Sequence, residues 1–262
     1  MGYTNSKLVT YTNITKTQKN SPRNHAIDTI TIHCVVGQWT AKQICDYFAN
    51  TDRGVSCNYG VGKDGSIGLC VDEKDRSWCS SSGTNDHRAI TIEVASDTTH
   101  PYAVTTAAYN ALIELITDIC KRNGIKKLIW STDKNARVKH LSGVNMTCHR
   151  DFANKACPGD YLYNREGDIA QKVNAKLEAA NNSASSAVLT EEDKGKADHS
   201  TVPYLIKVTA DKLNVRSGPS TKHKINMVIK NHGVYTIVEE RNGWGRLKSG
   251  AGWICLTYAR KV

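Results

Sequence analysis

The sequence predicts two domains of different grammar: an α/β domain over residues 1–180 and a small all-β domain over residues 203–262, with a linker at 181–202. Three observations carry this. Residues 29–32 and 89–95 are short apolar runs rich in β-branched side chains, as buried strands are. Residues 105–123 instead repeat apolar side chains at three- and four-residue spacing, the period of a helix face. After Tyr204 only short strand-like runs remain, separated by turn residues, which suggests a small barrel. A length of 262 residues accommodates one large and one small domain.

Taken in order, residues 1–26 are polar and aperiodic and read as an extended lead-in. Residues 28–36 form the first strand. Thr40 and Gln43 make a capping-box pair at the start of a helix whose apolar face carries Ile44, Tyr47 and Phe48. Strands at 58–63 and 66–71 flank Lys63-Asp64-Gly65-Ser66, a hairpin turn in which glycine tolerates positive φ. Residues 80–88 are rich in Ser, Gly and Asn and read as a loop. Ala89–Ala95 is a strand without strict alternation, as expected where both faces are covered. The helix at 105–123 aligns Ala108, Leu112, Leu115, Ile116 and Ile119; Thr105 or Thr106 caps its start and Gly124 ends it. A short strand at 126–130 and an irregular stretch at 131–146 follow. The last helix spans 166–180. Beyond the linker, strands are expected at 205–208, 213–216, 225–230, 234–238, 244–248 and 252–255.

The net charge of +10 is uneven. Residues 1–180 carry 22 basic against 18 acidic side chains, whereas residues 201–262 carry 11 against 3. The C-terminal segment is therefore suited to an acidic partner, nucleic acid or an anionic cell wall. No run of about 18 apolar residues exists, so no transmembrane helix and no membrane insertion are expected. The polar start Met1–Lys7 lacks the apolar stretch of a signal peptide. The nine cysteines have no regular spacing and are read as reduced and mostly buried, Cys157 excepted.

The chemistry concentrates in Thr147–Gly159, where His149, Lys155 and Cys157 fall within nine residues and Pro158-Gly159 closes a turn. Neutral imidazole and thiolate are good zinc ligands, and three protein ligands with one open position define a catalytic zinc site. His33, at the end of the Thr29–His33 run, completes a set of three with His149 and Cys157. On the residues alone, two satisfied histidines and a core thiol are the preferred reading. The seven other histidines lie in polar, loop-like contexts. Glu93 sits in a strand that otherwise reads as buried, where a lone carboxylate is costly without a partner or a task.

An ordered set of pieces resembles a known family: Ile32-His33, Ser56-Cys57-Asn58-Tyr59 before Lys63-Asp64-Gly65, Ser77-Trp78, Ile90-Thr91-Ile92-Glu93, and His149 with Lys155 two residues before Cys157-Pro158. Over roughly residues 20–178 the chain is similar to the zinc-dependent N-acetylmuramoyl-L-alanine amidases of the amidase-2 and peptidoglycan-recognition-protein superfamily, phage endolysins among them. Leu213–Ser220 and Gly243-Trp244-Gly245-Arg246 resemble bacterial SH3 domains over nearly all of 203–262. The resemblance implies a mixed central sheet flanked by helices, followed by an SH3-like barrel. It implies Zn2+ on His33, His149 and Cys157, Glu93 as general base, and Lys155 as stabiliser of the oxyanion. Trp78, Asn58 and Tyr59 become candidates for substrate contact. Thr91 stands where the family's strand usually has Gly. Cys57 and Cys79 stand where the phage branch has a Tyr and a His, which shifts the burden to Glu93.

The implied reaction is hydrolysis of the amide between N-acetylmuramic acid and L-alanine in bacterial peptidoglycan. The basic SH3-like domain would hold the enzyme on the anionic wall. A protein made in a host cytoplasm without a signal peptide and acting on the wall after release fits this reading. A non-catalytic peptidoglycan-binding protein of the same fold is the alternative; such proteins lose the Cys ligand, whereas Cys157 is present. A cysteine peptidase would place its Cys at a helix start, and Pro158-Gly159 after Cys157 argues for a loop. Nucleic-acid binding lacks any base-reading motif.

Overall fold

The computed structural model describes residues 3–15, 19–187, 202–241 and 243–262. The chain divides into two compact units, residues 1–188 and 189–262.

In the first unit the strands are β1 (Tyr11–Thr12), β2 (Asn20–Pro22), β3 (Thr29–Cys34), β4 (Tyr59–Val61), β5 (Ile67–Leu69), β6 (Asp75–Ser77), β7 (Ala89–Val94) and β8 (Met146–Cys148). The helices are α1 (Ala41–Asn50), α2 (Gly83–Arg88), α3 (Thr106–Arg122), α4 (Lys134–Val138), α5 (Gly159–Tyr163) and α6 (Glu166–Ala187). Six strands make one mixed sheet in the order β1-β5-β4-β7-β3-β8. Within this sheet, among the described residues, only β4 and β5 pair antiparallel, through the hairpin at Lys63–Ser66, where Gly65 has φ +83°. The pairs β4·β7, β7·β3 and β3·β8 are parallel. Every residue of β3 and β7 is buried, which explains why neither strand alternates in sequence. The face of α3 carrying Ala108, Leu112, Leu115, Ile116 and Ile119 packs into the main core with Ile30, Ile32, Ile90 and Ile92. The capping box on α1 forms as its sequence predicts, with Thr40 N–H donating to Gln43 Oε1 at 2.9 Å.

The structure departs from the sequence reading in several places. Residues 80–88 are not a loop throughout: Gly83–Arg88 is helical, with Ser82 Oγ capping it by accepting from Asn85 N–H. Its polar residues Asn85 and Asp86 are buried because each satisfies neighbouring groups. Residues 126–130 form no strand. The side chain of Asn174 on α6 takes both backbone groups of Leu128, at 2.8 and 2.9 Å, in the place of a partner strand. Asn145 does the same for Ile129 N–H at 2.8 Å. The stretch 131–146 contains α4 and the start of β8. The lead-in contributes β1, paired parallel to β5, and β2, paired with β6. Helix α6 continues past residue 180 to Ala187; the remainder of the expected linker, to residue 201, lies outside the described residues. No described helix is long and apolar enough to cross a membrane.

The second unit contains β9 (Tyr204–Val208), β10 (Leu213–Arg216), β11 (Ile225–Ile229), β12 (Val234–Arg241), β13 (Trp244–Leu247), β14 (Trp253–Cys255) and β15 (Ala259–Lys261). They form one antiparallel sheet in the order β11-β10-β14-β13-β12-β9-β15. Ile206, Val208, Leu213, Val215, Ile229, Ile237, Leu247 and Ile254 make its core. Trp253 is buried and Tyr204 packs on the core, while Trp244 and the exposed Tyr258 line a groove with Lys212 and Arg216.

Candidate functional site

Strand register builds the site. In the parallel β3·β7 pair His33 lies directly opposite Glu93, and in β3·β8 Ile32 lies opposite Cys148. His149 follows Cys148 at once, so the two histidines meet beside the C-terminal end of β3, the end at which open α/β sheets bind ligands. Their ring centroids are 5.1 Å apart. The segment after β8 then doubles back. Phe152 N–H donates to His149 O, Arg150 N–H to Cys157 O, and Gly159 N–H to Ala156 O. This returns the Cys157 thiol to 3.4 Å from His33 Nδ1, with Cys34 N–H donating to its sulfur at 3.4 Å.

One ligand atom each from His33, His149 and Cys157 lies within 4.8 Å of the others. The donor set, two imidazoles and a thiol, suits Zn2+. His33 Nε2 is buried and has no hydrogen-bond partner among the described residues. Burial, with His149 nearby, pushes the His33 pKa well below its ordinary value; burial and then the Lys155 ammonium lower that of His149. Both rings are thus held neutral, the ligating form. The adjoining Cys34 thiol and burial push the Cys157 thiol up, so without a cation it stays protonated. A metal binding there displaces that proton. These residues fit a zinc ion.

Glu93 is enclosed on the same side. Its Oε1 accepts from Cys79 Sγ at 3.8 Å and its Oε2 has no partner among the described residues. Burial, and secondarily Cys34, raises its pKa from 4.5 to about 8. His33, Cys79 and Glu93 also converge within 4.8 Å.

A groove of about 510 Å3 opens beside these groups, lined by Trp78, Cys79, Ser81, His149 and Lys155 together with Arg53, Arg76 and Asp86. An adjoining recess of about 180 Å3 reaches Glu93, again past Trp78, Cys79 and His149. Lys155 is exposed on the groove wall. Trp78 is half-buried, and its indole nitrogen has no hydrogen-bond partner among the described residues.

Asn58 and Tyr59 are not in the groove, contrary to the sequence expectation. Both are fully buried. The Asn58 amide donates to Val71 O and Asp75 O and accepts from Thr91 N–H, and Tyr59 OH donates to Glu73 Oε1 at 2.7 Å. Their polar atoms are used in holding the sheet to the turn beyond β5. Conversely, Arg53, Arg76, Ser81 and Asp86 reach the groove without having been singled out from sequence. They sit in polar stretches whose composition marks only loops.

A family model described as N-acetylmuramoyl-L-alanine amidase matches residues 23–160, just over half of the chain. That match defines the class of protein, a peptidoglycan amidase. The chain belongs to the N-acetylmuramoyl-L-alanine amidase family, and its second unit carries a bacterial SH3 domain, matched over residues 209–255. Similar solved structures include PlyL, with 16% identity and a TM-score of 0.48, covering 62% of this chain and 95% of that one. The Staphylococcus aureus hydrolase AmiA in complex with its ligand has 19% identity and a TM-score of 0.48, covering 64% and 82%. The endolysin amidase LysCS from Clostridium intestinale URNW has 17% identity and a TM-score of 0.42, covering 65% and 97%. No curated protein matches.

Proposed function

We propose that the chain hydrolyses the amide between N-acetylmuramic acid and L-alanine in peptidoglycan, with Zn2+ held by His33, His149 and Cys157. The observation that carries this is the register placing His33 opposite Glu93 while the loop after β8 returns His149 and Cys157 to the same point. Bound zinc supplies Lewis acidity toward the amide carbonyl and a water acidic enough to yield hydroxide near neutral pH.

Glu93 accepts the proton that the attacking water loses and delivers it to the leaving nitrogen of L-alanine. A base of pKa near the working pH suits both transfers, and a cation close by draws Glu93 toward its ionised form. As water adds to the carbonyl carbon, negative charge develops on its oxygen; the Lys155 ammonium on the groove wall stabilises it. The C–N bond then breaks, leaving a carboxylate on the muramyl side and a free amine on alanine. Trp78 packs against the sugar or the peptide stem. The SH3 unit, with most of the chain's net positive charge, holds the enzyme on an anionic wall after its release to that compartment.

The test is mass spectrometry of digested muropeptides, before and after chelation and on zinc re-addition. Free stem peptides with an N-terminal alanine, lost with the chelator and recovered with zinc, are expected. Cleavage at a glycosidic or cross-bridge bond, or chelator-insensitive activity, refutes the proposal.

A further inference from the structure

The geometry points to Ser81 as a positioning residue that fixes which ring nitrogen His149 offers to the metal. The inference rests on the reading of His149 as a ligand.

Ser81 Oγ lies 2.9 Å from His149 Nε2. With Nε2 engaged there, Nδ1 is the nitrogen left free to ligate. A metal-bound histidine is normally oriented by a hydrogen bond from its other ring nitrogen, which sets both tautomer and ring plane. In that arrangement Nε2–H donates to the Ser81 hydroxyl.

Ser81 is also held in an unusual way. Its φ is +64°, the left-handed region that favours glycine. Such a conformation persists only where the surroundings over-determine it, and here they do. Asp86 accepts from Cys79 N–H at 3.2 Å and from Ser80 N–H at 3.1 Å, fixing the backbone just before Ser81. The Asn85 amide donates to Ser80 Oγ at 3.1 Å and to Thr31 Oγ1 at 3.0 Å, and its carbonyl accepts from Thr147 Oγ1 at 3.0 Å. Thr31 and Thr147 bond each other at 2.8 Å. Thr31 lies two residues before His33, and Thr147 two residues before His149. One buried network therefore ties both histidine-bearing segments to the turn that carries Ser81. The groove wall at 79–86 is a jig for the His149 ring.

The full-length protein and its Ser81→Gly and Ser81→Ala variants are titrated with zinc against a chromogenic chelator, and the metal-free melting temperature is recorded for each. Loss of a hydrogen-bond partner to a ligand of this kind lowers metal affinity by about 10–100-fold. That loss is expected in both variants. In Ser81→Gly it should come with an unchanged or higher melting temperature, because glycine adopts positive φ freely; a merely structural role would not separate the two readouts. Zinc affinity within twofold of wild type in both variants overturns the inference, as does an effect confined to KM, which would place Ser81 against substrate. The wild-type holoprotein offers a test needing no variant: 15N shifts of the His149 ring should report a protonated Nε2, and a metal-bound Nε2 refutes the assignment. Failure of wild type to bind zinc at all removes the ligand reading itself and is seen before any variant is made.

Discussion

Glu93 makes the metal-free protein a sensitive object for a pH experiment. Enclosed among Cys79, Cys34 and His33, its carboxyl has a pKa raised from 4.5 to about 8, chiefly by burial. The folded chain therefore keeps a proton that the unfolded chain has released. Where the folded state binds more protons, stability falls as pH rises. The loss begins near pH 4.5 and is complete near pH 8. At 1.36 kcal/mol per tenfold change in proton affinity, the rise is worth about 5 kcal/mol. That is comparable to the whole stability of many domains, which runs from about 5 to 15 kcal/mol. His33 works in the opposite sense: buried neutral, it gains stability as pH rises through its unfolded pKa. Comparison with Glu93→Gln isolates the carboxylate, since the amide has no proton to lose. The assay is urea unfolding of the metal-free full chain between pH 4.5 and 8.5, following the transition of the N-terminal unit. The gap between wild type and Glu93→Gln should widen against wild type by several kcal/mol across that window and shrink once zinc supplies a compensating charge. Parallel curves for the two proteins would refute the burial argument.

Further outcomes are expected. Lys155→Ala should lower kcat more than it raises KM, because the oxyanion exists only along the reaction path; a change confined to KM contradicts the role. Arg137 and Asp151 form a buried pair, joined by Nη2 to Oδ1 at 2.6 Å, and Asp151 in turn accepts from Cys148 N–H just before His149. Arg137→Met leaves the Asp151 carboxylate buried without that cation, so a loss of about 3–5 kcal/mol is expected in denaturant unfolding; a loss below about 1 kcal/mol would argue against it. A fragment ending after Ala187 should cut soluble muropeptides at the rate of the full chain and intact walls more slowly, because tethering raises effective concentration. Equal rates on intact walls would deny the SH3 unit a targeting role.

Much of the fold was legible because local pattern and tertiary role agree. The apolar runs at 29–34 and 89–94, the three-and-four spacing from Ala108 to Ile119 and the Thr40–Gln43 box are each determined within a few residues of themselves, and the structure repeats them. The short strands from Tyr204 to Cys255 were equally plain, since turn residues bracket each one, whereas β15 was not expected: it is held by its pairing to the distant β9. The candidates His33, Glu93, His149 and Cys157 could be listed as residue types in a familiar order, and the order alone distinguished them from seven other histidines and eight other thiols.

What sequence could not supply is who satisfies whom. Residues 126–130 look like a strand until Asn174, some 46 residues on, takes the Leu128 backbone. Asn58 and Tyr59 look available for substrate until Val71, Asp75 and Glu73 occupy them. Ser80, Ser81, Asn85 and Asp86 look like loop filler until a network through Thr31 and Thr147 makes them the support of His149. The sequence by itself determined the long buried strands, the main helices and the inventory of reactive groups, because propensity and periodicity are properties of neighbours along the chain. Only the tertiary structure decided which of those groups meet, because hydrogen bonds, burial and strand register join residues far apart in sequence.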